Sequence, residues 1–148
     1  RGERLDSLAI AESPVDSLEA ALYEHILVLT GEVDGKKVRF GLDSGAELNL
    51  LDRRVNRSVL DHFKISHRVV LRGMGDNGTE VLAGKLYRFR SSNQRCSGMR
   101  TLLTNMDDLN RVFRTQLDGL IGYEFLCVRR TLINYKKQKL YFFEWYRP

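Results

Sequence analysis

The chain has 148 residues, 43% hydrophobic and 29% charged, with 24 Lys and Arg against 19 Asp and Glu for a net charge of +5. This is one domain's length of ordinary globular composition, and only mildly basic, short of the Lys/Arg coverage of a dedicated DNA-binding domain. No apolar run approaches the roughly 18 residues that span a bilayer. Two cysteines cannot build a disulfide scaffold or a four-ligand zinc cluster, and two prolines exclude a Pro-rich adaptor.

The chain starts at Arg1 without an apolar leader, so any targeting segment is expected to lie outside it. The sequence sets no compartment. A soluble domain is expected, whether extracytoplasmic or part of a larger protein. Residues 1–22 differ from the rest: Leu5, Leu8, Leu18, Ala21 and Leu22 recur at loosely helical spacing, and Asp16-Ser17-Leu18-Glu19 has the composition of a helix start. They are read as an arm or short helix preceding a domain over residues 23–148.

From His25 the pattern becomes that of strands. Ile26 to Leu29 is rich in strand formers, Asp34-Gly35 is a hairpin turn signal, and Val38 to Leu42 alternates apolar with small or polar residues. Residues 52–63 carry Val55, Val59, Leu60 and Phe63 at helical spacing. A second hairpin is predicted from Arg68–Arg72 and Thr79–Leu82 around a tip, Gly73-Met74-Gly75-Asp76-Asn77-Gly78, loosened by three glycines. Met99 to Leu103 reads as a strand, and Met106 to Phe113 as a short helix or loop. Leu117 to Gly122 reads as a strand running into a helix at Tyr123. Thr131–Tyr135 and Leu140–Phe143 form a terminal hairpin around Lys136-Lys137-Gln138-Lys139. The expected fold class is mainly β with short helices.

The chemistry-bearing string is Phe40-Gly41-Leu42-Asp43-Ser44-Gly45-Ala46. An acid directly after an apolar strand, followed by a hydroxyl and two small residues, places one carboxylate at a tight turn. There the Gly45 amide can approach it closely, and the Ser44 hydroxyl can bond within or across chains. The same four residues also suit a plain β-turn. Gly122, 79 residues after Asp43, closes Leu120-Ile121-Gly122 ahead of the helix, and the glycine-tipped hairpin lies between.

This order resembles the retropepsin-like aspartic proteases, in which a strand, Asp-(Thr/Ser)-Gly-Ala, a flap hairpin, and two hydrophobics with a glycine before a helix follow one another. The resemblance covers roughly residues 25–145. It extends to the run Asn49-Leu50-Leu51, to Asp118-Gly119-Leu120-Ile121-Gly122-Tyr123-Glu124-Phe125-Leu126 and to Leu132-Ile133-Asn134, and is strongest with bacterial single-domain members. It implies an acid-protease β-barrel of one lobe per chain and an aspartic endopeptidase acting on peptides or proteins. Two neighbouring carboxylates cannot both ionise cheaply, so they share a proton and act as one unit on a trapped water. With a single Asp-Ser-Gly-Ala per chain, the resemblance implies a homodimer in which each chain supplies Asp43. It assigns Asp43 as the catalytic residue, Ser44, Gly45 and Ala46 as support of the catalytic loop, and Gly73, Met74 and Gly75 as the flap over substrate. Leu120, Ile121 and Gly122 are assigned to packing beneath the loop; the terminal aromatic strand reads as a core or edge strand, or, by the resemblance, as a dimer seam. No cofactor, metal or nucleic acid is implied.

Three features depart from the family pattern: Glu47 after Ala46, Tyr123 where retroviral enzymes carry an arginine, and a longer, more acidic flap tip. They keep open a catalytically inactive peptide-binding or assembly module of the same fold. His25, His62 and His67 lack metal-ligand spacing, and no Gly-x-Ser-x-Gly elbow occurs. Arg129, Arg130, Lys136, Lys137 and Lys139 with nearby aromatics would suit RNA, but are read as the solvated face of a hairpin. Cys96, among turn-like residues, and Cys127, after Phe125-Leu126, either pair in an oxidising compartment or remain one loop thiol and one buried thiol.

Overall fold

The computed structural model describes residues 12–71 and 79–145. The fold is mainly β. Strands β1 (Asp16–Glu19), β2 (Ala21–Tyr23), β3 (Ile26–Val33), β4 (Lys36–Leu42) and β5 (Asn49–Asp52) precede helix α1 (Arg57–Leu60). Strands β6 (Phe63–Leu71), β7 (Thr79–Leu86), β8 (Phe89–Ser91), β9 (Gln94–Cys96) and β10 (Met99–Thr104) then lead to helix α2 (Asp107–Phe113). Strand β11 (Gly119–Ile121), helix α3 (Tyr123–Leu126), and strands β12 (Arg130–Asn134) and β13 (Lys139–Phe143) complete the order. A ten-stranded sheet runs β6-β7-β10-β5-β11-β4-β3-β8-β9 with β2 also on β3, and a three-stranded sheet runs β1-β13-β12. The path of the large sheet ends at β6 and β9, so the barrel is a half-open curl. Among the described residues, no helix is long and apolar enough to cross a membrane.

Local chemistry explains the hairpins. Val33 pairs with Lys36 across a two-residue loop whose residues both have positive φ, Asp34 at 48° and Gly35 at 84°. That is the turn whose twist matches the flanking strands, and Asp-Gly is a favoured pair for it. Strand β3 is central and covered on both faces, so its alternation sorts side chains between two cores. Leu27 and Leu29 join Phe40, Leu42, Leu51, Ile121 and Phe142, whereas Ile26 and Val28 join Met106, Leu117 and Leu120. An aromatic chain connects the large sheet to the small one. Phe40 stacks on Phe89 at 5.3 Å, Phe89 meets Phe125 edge-on at 5.7 Å, and Phe125 meets Phe142 edge-on at 5.9 Å. Such pairs contribute about 0.5–1.5 kcal/mol each beyond their buried area.

Two expectations are corrected. The helix start at Asp16 is a strand: β1 pairs antiparallel with β13, from Asp16↔Phe142 to Glu19↔Lys139. The Asp16 carboxylate, instead of capping a helix, accepts from Ser92 Oγ at 2.9 Å, the Asn93 amide at 3.1 Å and Gln94 Nε2 at 2.9 Å. Those partners belong to the β8–β9 hairpin, which occupies part of the segment read as turn-like. The cysteines are both free, with their expected surroundings exchanged: Cys96 is buried in β9, and Cys127 is half-buried behind α3. The terminal strand is a core strand of its own chain, with Leu140, Phe142 and Phe143 buried and β13 central in its sheet. The α2 segment is helical, stopped by Arg114 in the left-handed conformation at φ 53°.

Candidate active site

Strands β4 and β5 follow one another in sequence but are not neighbours. Strand β11 lies between them, parallel to β4 (Gly119↔Phe40, Leu120↔Gly41, Ile121↔Leu42) and antiparallel to β5 (Gly119↔Leu51, Leu120↔Leu50). Residues 43–48 therefore cross from one side of β11 to the other, at the end of the strand where Ile121 gives way to Gly122.

Hydrogen bonds tie that crossing to β11 and α3. The Asp43 amide donates to the Ile121 carbonyl at 2.9 Å, the Ala46 amide to the Asp43 carbonyl at 3.0 Å, and the Tyr123 amide to the Ala46 carbonyl at 2.9 Å. The Gly45 amide donates to Asp43 Oδ1 at 3.2 Å, which biases the carboxylate toward one rotamer. Asp43, Ser44 and Gly45 are exposed and Ala46 is half-buried. The Ser44 hydroxyl has no intrachain hydrogen bond among the described residues. Leu120, Ile121 and Gly122 are buried directly behind the turn. Gly122 is required by close approach, since a Cβ there would lie 2.6 Å from the Asp43 carbonyl oxygen, 3.0 Å from the Ala46 Cβ, and against the Ala46 carbonyl oxygen.

The structure thus brings together Asp43, Gly45, Ala46, Ile121 and Gly122, with Leu120 packed in the adjoining core. Gly73, Met74 and Gly75 lie outside the described residues. Their flanking strands pair from Phe63↔Leu86 to Leu71↔Thr79. Glu47, Leu48 and Tyr123 are exposed beside the turn. The Tyr123 phenol is held above its ordinary pKa, chiefly by its hydrogen bond with Cys127 one helical turn on.

Sequence reading missed Asn49. Grouped there with an apolar run, it is a buried polar residue, 1% exposed, whose Oδ1 accepts from the Gly122 amide at 3.0 Å. Its Nδ2 is buried without a partner among the described residues. The available signal was an amide side chain opening a strand otherwise built of leucines. Among the described residues, no group of three or more His, Cys, Asp or Glu is placed to hold a metal ion.

The turn presents one exposed carboxylate backed by buried apolar residues, and a carboxylate so placed can serve as a general acid or base. No curated protein matches the chain. Among solved structures, it is similar to a retropepsin-like aspartic protease from Rickettsia conorii, with a TM-score of 0.55 at 14% identity over 86% of this chain and 90% of that one. The likeness establishes a shared retropepsin-like fold. The family model for aspartyl proteases matches residues 29–125, which run from β3 through the Asp43 turn and β11 into α3. By that match the chain belongs to the aspartyl protease family.

Proposed function

We propose that the chain is an aspartic endopeptidase in which Asp43 from two copies forms the catalytic dyad. The observation that carries this reading is the exposed Asp43 carboxylate, set at the end of β4 by the Ile121 carbonyl and the Gly45 amide. A retropepsin-like chain with a single Asp-Ser-Gly-Ala completes such a pair when a second copy meets it about a two-fold axis.

In such a pair the two carboxylates share one proton. The ionised one takes a proton from the trapped water as it attacks the peptide carbonyl, and the protonated one donates to the carbonyl oxygen. Collapse of the tetrahedral intermediate, with a proton passed to the leaving nitrogen, regenerates the dyad. Ser44 and Gly45 would hold the turn. Its hydroxyl, without a partner among the described residues, leaves Ser44 free to bond across the two-fold. Gly73, Met74 and Gly75 would close over a bound peptide and exclude water.

Cleavage of an unstructured protein such as casein, followed between pH 3 and 7 for wild type and Asp43→Asn, tests the proposal alongside sedimentation of both proteins. Wild type should cleave as a dimer, and Asp43→Asn should fold, dimerise and lose at least a thousandfold in rate. Cleavage that survives the substitution, or a wild type that is active while monomeric, overturns the proposal. A dimeric, folded wild type that cleaves nothing would instead favour a peptide-binding module.

A further inference from the structure

A cleft of about 440 Å³ lies on the large sheet between the β3–β4 turn and the β8–β9 hairpin, and none of its lining residues belongs to residues 43–48, β11 or α3. Arg88, Arg90 and Arg95 line it together with Glu32 and Asp34. Its volume is within the range of small-ligand sites.

The charges are arranged by strand register. Glu32 of β3 stands opposite Lys37 of β4 on one side and Arg90 of β8 on the other, and Arg90 stands opposite Arg95 of β9. Signs alternate across the first three strands, and the fourth breaks the alternation with two arginines directly opposed, an unfavourable cross-strand pair unless an anion lies between them. The acids are already engaged. Glu32 is paired with Arg90, and Asp34 holds both His62 Nε2 at 3.1 Å and Arg88 Nη1 at 3.7 Å. Arg95 has no hydrogen bond or ion pair among the described residues. The Cys96 thiol in the wall is neutral, pushed up to about 12 by burial and then by the nearby Glu124, and so offsets nothing.

From this register and the unpartnered guanidinium we infer that the cleft is a binding site for a carboxylate group, held by Arg95 with Arg90 and Arg88 beside it. Three guanidinium groups against two carboxylates leave one uncompensated positive charge, which matches a singly charged carboxylate better than a doubly charged phosphate. The fork of a guanidinium accepts a carboxylate through two parallel N–H···O bonds. The group would come from an acidic peptide side chain or from a free small monocarboxylate. The site does not depend on the reaction proposed for Asp43.

Titration of 15N-labelled full chain with acetate, with a capped peptide carrying a single Asp, with inorganic phosphate and with sodium chloride at matched ionic strength tests the inference. It is run on wild type, Asp43→Asn, Arg95→Gln and Arg88→Gln. Acetate or the peptide should give saturable amide shifts confined to residues 32–37 and 88–97, equal in wild type and Asp43→Asn. Arg95→Gln, at an exposed position that leaves the fold intact, should weaken binding by about tenfold, or about 1.4 kcal/mol, and Arg88→Gln should weaken it less. Whichever of the two carboxylates binds more tightly identifies the source. Absence of saturation, the same shifts with chloride, tighter binding of phosphate, or unchanged binding in Arg95→Gln overturns the inference.

Discussion

The Gly122 amide donates to Asn49 Oδ1 at 3.0 Å in the interior, 73 residues away along the chain. This bond ties the start of β5 to the end of β11, and the Asp43 turn spans the gap between them. In Asn49→Ala the Gly122 amide is left buried and unpaired, and stability should fall by about 1–3 kcal/mol, with a loss of any cleavage activity beyond what the unfolded fraction accounts for. Asn49→Asp keeps both shape and acceptor but buries a carboxylate, whose pKa burial raises. A raised folded-state value means the variant is close to wild type below pH 4 and loses stability as pH climbs toward 7. Denaturant midpoints at the two pH values check this. An Asn49→Ala protein with wild-type midpoint and activity would remove Asn49 from this role.

Gly122 is also the residue over which the turn folds. In Gly122→Ala the added methyl would meet the carbonyl oxygens of Asp43 and Ala46, and both are backbone, so relief requires the turn itself to move. Overpacking of this kind costs roughly 1–3 kcal/mol. Cleavage should fall by orders of magnitude while the far-UV spectrum is retained. Wild-type turnover in the variant would show that the turn has more room than the geometry allows.

The two thiols should behave differently. Cys96 is buried, its thiol raised to about 12 by burial and then by Glu124, while Cys127 is half-buried. Because the thiolate is the reacting species, iodoacetamide at pH 8 should label Cys127 first and reach Cys96 only on unfolding, as peptide mass mapping would show. The linkage has a sign: between about pH 9 and 12 the unfolded thiol ionises while the folded one stays protonated, so stability declines as pH rises through that window. Cys96→Ser should flatten the decline. Early labelling of Cys96 would contradict its burial.

Acid should loosen the contact between β1 and the β8–β9 hairpin. Burial opposes ionisation of Asp16, but hydrogen bonds from Gln94, Ser92, Asn93 and Ser17 outweigh it and hold the carboxyl below its ordinary value. A depressed folded-state pKa contributes stability above about pH 4 that is lost as pH falls through the folded value. Amide exchange of β1 and of the β8–β9 hairpin should therefore accelerate below pH 4 before the central strands respond. Asp16→Ala should show the faster exchange already at pH 7, at a cost of about 0.5–1.5 kcal/mol. Exchange in these segments that ignores both pH and the substitution would exclude the carboxylate as their link.

Local features of this chain could be read from local sequence. Asp34-Gly35 declares its hairpin because both turn residues need positive φ, and Gly119 to Phe125 announces a strand passing into a helix because its apolar spacing changes period there. The Asp43 turn was legible for a like reason: an acid, a hydroxyl and two small residues after a strand state a turn. Asp16 misled because a carboxylate that caps a helix and one that caps a distant turn are the same residue seen from the chain. The short β8 and β9 were missed because three residues carry too little alternation to outweigh turn-forming Ser92 and Asn93.

What the amino-acid order determined by itself was thus the strand-rich class and the local turns. Tertiary structure decided that β11 enters between β4 and β5, that Asn49 bonds to Gly122, and that Arg90 faces Arg95 across a cleft. Each of these depends on which strand lies beside which. That choice is made by burying side chains remote in sequence in common cores, and the pattern within any one strand does not contain it.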